Sequence, residues 1–306
     1  MTTNEIKIIG VGGCGINVLK SIASGNIKNV DYIVCNTDTQ SLGNSQLQLK
    51  LQIGSATTKG SGTEGNIELG RLSAIESKQQ IEQLFDENSK VAIFIAGLGG
   101  GTGTGATPLM VQIAKDKGLF TIIIVYTPFT FEGKNRDKIA EEGIAELQKQ
   151  ADFTFVIHNN KILKAYGNLG FKASFGKPDR AIGQLLKLLI ASGSSKIDSI
   201  DLKIITKKIQ QGQSVFFGFG EAQGENRETK AIDEALKNAL SDRENISGVK
   251  NIFVHFGSGT TEITIDEIAE INEVIQHNVG SNANINMSVE EDITLGDSIS
   301  VAIIAS

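Results

Sequence analysis

A glycine-rich run at residues 97–108 constrains this chain more than any other feature. It reads Gly-Leu-Gly-Gly-Gly-Thr-Gly-Thr-Gly-Ala-Thr-Pro, follows the apolar residues 91–95 and precedes an apolar helical pattern that starts at Leu109. A buried strand, a glycine loop and a helix start form an anion site, because their N–H groups have no other partner. Glycine also lets the backbone approach a phosphate closely and adopt positive φ. The run therefore predicts phosphate binding, with Thr102 and Thr104 adding hydroxyl donors, since a plain tight turn needs fewer glycines.

A second glycine loop, Gly-Val-Gly-Gly-Cys-Gly-Ile-Asn at residues 10–17, separates the first predicted strand from the first helix. It matches G-x-G-x-x-G and would place N–H groups on a diphosphate. The same motif is typical of dinucleotide-dependent oxidoreductases, in which Asp38 would bind the ribose. That alternative leaves residues 99–105 unexplained and offers no evident catalytic acid or base. Two glycine loops on one sheet edge favour a nucleotide held from two sides.

Composition excludes several classes of protein. The formal net charge is −6 and no basic run occurs, so the chain lacks the electrostatic footprint of a nucleic-acid binder. No apolar run approaches ~18 residues and the N-terminus does not resemble a signal peptide, which excludes direct membrane insertion. Cys14 and Cys35 are the two cysteines, and they suit a reducing compartment. We therefore expect a cytoplasmic protein. The scattered His158, His255 and His277 give no metal-ligand spacing, so we expect no dedicated metal cluster.

The first half of the chain alternates strand and helix signals, which predicts an α/β fold with a doubly wound parallel sheet. Strands are predicted at 6–10, 32–35, 48–53, 91–96, 121–126 and 153–157. Helices are predicted at 17–23, 67–85 and 136–150.

Residues 179–191 are apolar almost all round, so they predict a central helix buried on most sides. Pro178 fits the first turn of that helix but would break a helix continuing from upstream. Residues 193–195, Gly-Ser-Ser, indicate a hinge or loop.

From about residue 213 the signals predict a second, smaller α/β domain. Its strands are expected at 214–218, 251–256, 283–289 and 298–304, and its helices at 228–240 and 265–277. The expected organisation is an N-terminal domain over 1–173, a central helix and connection over 174–196, and a C-terminal domain over 197–306.

Together these motifs resemble a known family. The sequence Gly-Gly-Gly-Thr-Gly-Thr-Gly at 99–105 is similar to the signature of the tubulin/FtsZ superfamily of polymerising GTPases, and the resemblance is closest to the bacterial FtsZ branch. It covers nearly the whole chain, because further motifs occur in the family's order at 8–13, 36–40, 128–134, 157–160 and 295–298.

The resemblance implies a GTP-binding N-terminal domain with GTP or GDP and Mg²⁺ as cofactors. The residues that it implies for the nucleotide are Gly12, Gly13, Cys14, Gly15, Ile16, Asn17, Gly100, Gly101, Thr102, Gly103, Thr104, Gly105, Glu132, Arg136, Asn159 and Asp179. No residue stands out as a direct ligand of the metal.

Within that set, Asn17, Asn159 and Asp179 are implied around the guanine, and Glu132 and Arg136 near the ribose. The chemistry of Asp179 fits independently, because a carboxylate accepts both N1–H and the exocyclic amine of guanine. Its alternative is an N-terminal acid favoured by the helix dipole. The alternative for Glu132 and Arg136 is a surface ion pair at i, i+4.

The resemblance also implies a head-to-tail homopolymer, in which an acidic loop of one subunit completes the nucleotide site of the next. The family pattern Asn-x-Asp-x-x-Asp falls, without gaps, on residues 199–204. Asp201 remains, Ile204 replaces the second acid, and Asp198 lies close enough in sequence to assist. Losing one positioned catalytic group commonly costs about 10²–10⁴ in rate. We expect slow hydrolysis with Asp201 and Asp198 as catalytic residues, or alternatively a non-hydrolysing filament or capping paralogue.

Two further departures from the family concern residues 60–66 and the chain end. Glu64 stands where the family's loop facing the γ-phosphate has a glycine. Its carboxylate would repel that phosphate unless Mg²⁺ or a side chain intervenes, or unless the carboxylate points to solvent. The chain ends at Ser306, where FtsZ proteins usually continue into a linker and a partner-binding tail. The expected role is cell division in the cytoplasm, at the division site, with membrane-tethering division proteins as further partners.

Overall fold

The computed structural model describes residues 4–25, 27–190, 215–280 and 283–306. The chain divides into two compact units, Met1–Asn160 and Lys161–Ser306. The three-part division predicted from the sequence, with boundaries at 173 and 196, remains a prediction.

The first unit contains a six-stranded parallel sheet in the order β3-β2-β1-β4-β5-β6. Its strands are β1 Ile6–Val11, β2 Val30–Asn36, β3 Leu49–Gln52, β4 Val91–Gly97, β5 Phe120–Thr127 and β6 Phe153–His158. Ile9 on β1 pairs with Ile33 on β2 and with Phe94 on β4, and all three side chains are buried. This confirms the predicted doubly wound sheet, whose central strands are apolar because helices cover both faces.

The helices around this sheet are α1 Gly12–Ala23, α2 Thr39–Gly43, α3 Ser55–Thr58, α4 Ile67–Glu76, α5 Lys78–Glu82, α6 Gly101–Asp116 and α7 Lys134–Gln150. Helix α8, Asn159–Tyr166, follows β6, and the boundary between the two units falls within its sequence. A 3₁₀ turn covers Thr130–Glu132.

The predicted single helix over 67–85 is wrong, because the segment forms two helices. Ser77 leaves helical geometry, with φ −98° and ψ 18°, between α4 and α5. Its hydroxyl accepts a hydrogen bond from the N–H of Gly54 at 2.9 Å. A contact with a distant segment therefore fixes the break.

The predicted start of the helix after the glycine run at residues 97–108 is also wrong. The helix was expected from Leu109, but α6 begins at Gly101 and contains Pro108. Most of the predicted loop is therefore the first turns of a helix. Similarly, α1 begins at Gly12 rather than at Asn17.

The second unit contains α9 Phe171–Ile190 and a four-stranded sheet in the order β7-β10-β8-β9. Its other elements are β7 Phe216–Ala222, α10 Arg227–Lys237, β8 Asn251–Ser258, α11 Ile265–Val279, β9 Asn284–Glu291, a 3₁₀ turn at Ile293–Leu295 and β10 Ile299–Ala305. Strand β10 is antiparallel to β7 and β8, and β8 is parallel to β9. This confirms the predicted smaller α/β unit.

Pro178 does not break the helix as predicted, because α9 continues seven residues upstream of it. Proline removes one N–H from the helix, but the residues on either side anchor α9. Lys177 pairs with Glu234 at 2.6 Å, and Arg180 pairs with Glu221 at 2.7 Å. These contacts to α10 and β7 hold the helix across the proline. The predicted hinge at 193–195 lies outside the described residues.

Candidate functional site

The two glycine runs lie at the point where the order of the parallel sheet reverses. Strands β1 and β4 are neighbours, and the strands that follow them, β2 and β5, lie toward opposite edges of the sheet. This position is the switch point of the sheet. Open α/β sheets bind ligands beyond the carboxyl ends of the strands at such a point. Val11 leads directly into α1, and Gly97 leads through a short loop into α6. The topology therefore brings the two predicted loops to one place.

The N-termini of α1 and α6 lie side by side. A Cβ atom added to Gly12 would lie 3.3 Å from the backbone nitrogen of Gly103. The N-cap residues, Val11 and Gly100, make no side-chain cap to either helix. First-turn N–H groups have no partner within their helix, and the helix dipole favours an anion at this end. The pair of helices can therefore direct backbone donors at one bound anion.

In the run at residues 97–108, glycine is required more by close packing than by a positive φ. A Cβ at Gly101, Gly103 or Gly105 would lie 2.1–2.3 Å from an atom of another segment. For Gly103 that atom is the carbonyl oxygen of Gly97, at 2.2 Å. Within the run only Gly99 has a positive φ, of +90°. The glycines let α6 begin directly against β4 and α4, which exposes its N–H groups to the switch point.

Both predicted threonines have hydrogen-bond partners within the site. The hydroxyl of Thr104 accepts from the N–H of Gly99 at 3.0 Å, so it holds the loop before α6. The hydroxyl of Thr102 lies 2.7 Å from that of Thr37 and 3.3 Å from that of Thr63. The segments at 36–40 and 60–66, which the sequence singles out, contain Thr37 and Thr63, but the sequence does not predict that their hydroxyls meet Thr102. Thr37 directly follows β2, so its position at the carboxyl edge of the sheet was a usable signal.

Glu132 and Arg136 form an ion pair, with 2.6 Å between Oε2 and Nη1. The other carboxylate oxygen of Glu132 accepts from the N–H of Phe129 at 2.9 Å. A Cβ on Gly99 would lie 2.9 Å from the carbonyl oxygen of Arg136, so the start of α7 borders the second glycine run. The pairing named as the alternative is thus present, and a role at the ribose stays a prediction.

The residues predicted around the base come from three elements. Asn17 is exposed in the second turn of α1, and Asn159 is the first residue of α8, directly after β6. Asn159 Oδ1 is buried and accepts no hydrogen bond from the residues that the structure describes. Asp179 lies on α9, in the second unit. Their roles at a base stay predictions.

The remaining predicted acidic residues have different positions. Glu64 is exposed and adopts a left-handed backbone, with φ +50°. Asp38 caps α2, because its Oδ1 accepts from the N–H of Ser41 at 3.0 Å. Asp198 and Asp201, like Ile204, lie outside the described residues.

Within the described ranges, no three His, Cys, Asp or Glu side chains form a group that could hold a metal ion. None of the helices in the described residues combines the length and the apolar character needed to cross a membrane.

Two protein-family models match the chain. Residues 5–167 match the tubulin/FtsZ family GTPase domain, and residues 212–306 match the FtsZ family C-terminal domain. The chain belongs to the tubulin/FtsZ family. The resemblance noted in the sequence is thereby confirmed, and the chain is an FtsZ-type GTPase. Membership of this GTPase family sets aside the oxidoreductase alternative.

Comparisons with individual proteins support the same family. The chain is 32% identical to the cell division protein FtsZ of Pseudomonas aeruginosa, over 99% of this chain and 77% of the relative. It is 33% identical to that of Azotobacter vinelandii, over 98% and 76%. An FtsZ dimer from M. jannaschii superposes with a TM-score of 0.85 and 30% identity, over 99% and 88% of the two chains. A GTPγS-bound protofilament of CetZ2 from Haloferax volcanii, 17% identical, shares the fold with a TM-score of 0.77.

Proposed function

We propose that this chain binds GTP with its phosphates over the N-termini of α1 and α6, and that it assembles head to tail into protofilaments for cell division. The observation that carries the proposal is the pair of adjacent helix N-termini at the switch point of the sheet. Phosphate oxygens would accept hydrogen bonds from the first-turn N–H groups of residues 12–15 and 101–104.

Mg²⁺ would enter this site on the nucleotide rather than on a protein cage. The described residues offer no group of three acidic, His or Cys side chains, and Mg²⁺ in nucleotide sites is usually held by phosphates and waters with few protein ligands. When bound, the ion neutralises charge on the phosphates.

Base recognition is assigned to Asn17, Asn159 and Asp179. Buried acceptors in folded proteins are nearly always hydrogen-bonded. Oδ1 of Asn159 has no partner among the residues that the structure describes, which supports a ligand donor at that position. Asp179 would supply the carboxylate that separates guanine from adenine. Glu132 and Arg136 would contact the ribose from the start of α7.

Hydrolysis is assigned to the interface between two subunits. Asp201, assisted by Asp198, would orient a water against the terminal phosphate of the neighbouring subunit's nucleotide. Ile204 provides neither a hydrogen-bond acceptor nor a charge, so turnover would be slow. Because Ile204 and Glu64 both depart from the family pattern, the second candidate is a GTP-binding filament or capping protein without turnover.

Phosphate release from GTP·Mg²⁺, measured across a range of protein concentrations together with light scattering, tests the proposal. We expect the rate per subunit to rise above a threshold concentration at which scattering also appears. A rate per subunit that does not depend on concentration would contradict a site completed by a neighbour. Bound GTP without any release would favour the second candidate.

The substitution Ile204→Asp tests the account of the acidic loop. Restoring a positioned carboxylate should raise the hydrolysis rate by about 10²-fold or more. Ile205→Asp is the matched control, because it makes the same replacement, and therefore the same change of charge, at the adjacent position. Equal rates for both variants would refute the account.

The expected partners are further copies of the chain and membrane-tethering division proteins, and the expected location is the cytoplasm at the division site. Imaging of a fluorescent fusion in dividing cells would show a band at mid-cell. Fluorescence spread evenly through the cell at every stage would contradict this location.

A further inference from the structure

The second unit contains a serine and a histidine in direct contact on neighbouring strands. His255 on β8 lies opposite Ser288 on β9 in the parallel register, and Nδ1 of His255 is 2.9 Å from Oγ of Ser288. The side chain of His255 is 1% exposed, whereas Ser288 is only partly buried. The contact therefore places a serine that solvent can reach against an imidazole that is shielded from solvent.

The other ring nitrogen of His255 faces a carboxylate. Nε2 lies 3.5 Å from Oε2 of Glu290, which follows Ser288 by two residues and so shares its face of β9. Nε2 has no hydrogen-bond partner among the residues that the structure describes. Burial tends to raise the pKa of the Glu290 carboxyl, but the contact with His255 and the charge of Lys187 outweigh burial, so this pKa lies below its ordinary value. Glu290 is therefore ionised at neutral pH.

The charges around this carboxylate leave an excess of negative charge beside the ring. Nζ of Lys187 on α9 lies 2.7 Å from Oδ2 of Asp292 and 3.7 Å from Oε2 of Glu290. On the other side of β8, β10 places the uncharged Ala302 opposite His255. One ammonium group is thus shared between two carboxylates, and the remaining negative charge favours a proton on the imidazole.

This charge determines which nitrogen of the neutral imidazole carries the proton. A proton on Nε2 points toward the Glu290 carboxylate, whereas a proton on Nδ1 would leave the Nε2 lone pair facing a negative charge. The partner of one ring nitrogen sets the tautomer in this way. Nδ1 then carries the lone pair, and the hydroxyl of Ser288 donates to it. A serine, a base and a group that orients the base are the parts of an activated nucleophile.

The strand that carries the serine also supplies hydrogen-bond donors. Strand β9 is at the edge of the sheet order β7-β10-β8-β9. An edge strand presents backbone N–H groups that the sheet does not pair. When a serine attacks a carbonyl carbon, backbone N–H groups can stabilise the negative charge that develops on the carbonyl oxygen.

We infer that Ser288 is a nucleophile that accepts an acyl group from activated esters, with His255 as its general base. Oγ attacks the carbonyl carbon, and the hydroxyl proton passes to Nδ1 of His255. The bond from that carbon to the leaving oxygen then breaks, and the alcohol part of the ester departs as its anion. Glu290 is a positioning residue, because it holds the ring tautomer and stabilises the imidazolium. The product is an ester at Ser288, and this inference does not depend on the proposed GTP site.

The test measures acetylation of the full chain by p-nitrophenyl acetate, with peptide mass spectrometry to locate the acetyl group. Ser55 is the internal reference, because it is exposed and its hydroxyl donates to the carboxylate of Glu76 at 3.1 Å rather than to a histidine. General-base catalysis contributes about 10²–10⁴-fold in rate. We therefore expect Ser288 to be acetylated at least about 10²-fold faster than Ser55 in folded protein, and no faster in urea. Equal rates at the two serines in folded protein would overturn the inference.

The substitution His255→Gln removes the base. It should lower the acetylation rate of Ser288 to that of Ser55, in protein whose circular dichroism matches that of wild type. An unchanged rate would overturn the role of His255. Because His255 is buried, its replacement can prevent folding, and in that case the pH dependence of the reaction in Glu290→Gln decides the question.

The pH profile distinguishes positioning by Glu290 from a purely structural role. In wild type the rate at Ser288 should rise with pH through the range in which histidine loses its proton. Glu290→Gln removes the charge that stabilises the imidazolium, so the midpoint of this rise should fall by about one pH unit or more. Glu291→Gln is the matched control, because it removes the same charge from the next residue of β9, on the opposite face. Its midpoint should equal that of wild type, and a common midpoint in all three proteins would contradict the assignment of Glu290.

Discussion

Replacing Gly103 with alanine should destabilise the protein strongly, because of a contact that only the folded structure reveals. A Cβ at this position would lie 2.2 Å from the carbonyl oxygen of Gly97, whereas ordinary contacts begin at 3.4 Å. The difference of 1.2 Å (3.4 minus 2.2) has to come from movement of α6 against β4, since the obstructing atom belongs to the backbone. That movement also disturbs Gly12, which borders the backbone nitrogen of Gly103.

The expected cost is at the upper end of the range for inserting one methyl group into a packed interior, about 3 kcal/mol. For a unit of this size, a loss of that magnitude lowers the melting temperature by about 6–12 °C. Gly100→Ala is the matched control, because a Cβ there meets nothing within 4 Å and φ is −101°. It should change stability by less than about 1 kcal/mol.

Thermal unfolding is best followed by circular dichroism, because the chain contains no tryptophan. The protein should be free of nucleotide, since a bound ligand raises the apparent stability of the folded state. If Gly103→Ala melts within about 2 °C of Gly100→Ala, then steric exclusion is not what requires glycine at position 103.

Two further predictions concern ionised groups in the first unit. Lys7 pairs with Asp31 at 2.6 Å, and both side chains are almost fully buried. Lys7→Met should therefore lower the free energy of unfolding, measured in urea, by about 3–5 kcal/mol. The double variant Lys7→Met with Asp31→Leu should recover most of that loss. No recovery in the double variant would contradict this. Hydrogen bonds lower the pKa of Glu76 to about 2 from 4.5, the largest effect coming from the N–H of Ala56 and the next from the hydroxyl of Thr57. The ionised carboxylate therefore stabilises the folded protein fully above pH 4.5, and this stabilisation is lost as the pH falls toward 2. The stability difference between wild type and Glu76→Gln should shrink over that interval in thermal unfolding, and a constant difference would refute it.

The six strands of the first unit could be predicted because their signals are local. Buried parallel strands are continuous apolar runs, such as residues 91–95 before α6, and each observed strand overlaps its predicted range. Helices α2 and α3, with five and four residues, were not predicted. Helices this short show no periodicity. Contacts from elsewhere hold α3 in particular, since the carboxylate of Glu76 on α4 accepts from its first-turn N–H groups.

The sequence by itself determined the order of elements, the two glycine runs and the family to which they belong. Only the tertiary structure determined which backbone atoms leave no room for a Cβ at the glycines of the run at residues 97–108, and which hydroxyls surround Thr102. Thr63 and Thr102 are 39 residues apart, yet their hydroxyls meet. Apolar periodicity is written in neighbouring residues, whereas the space left for a Cβ depends on backbone atoms that another segment brings within contact distance.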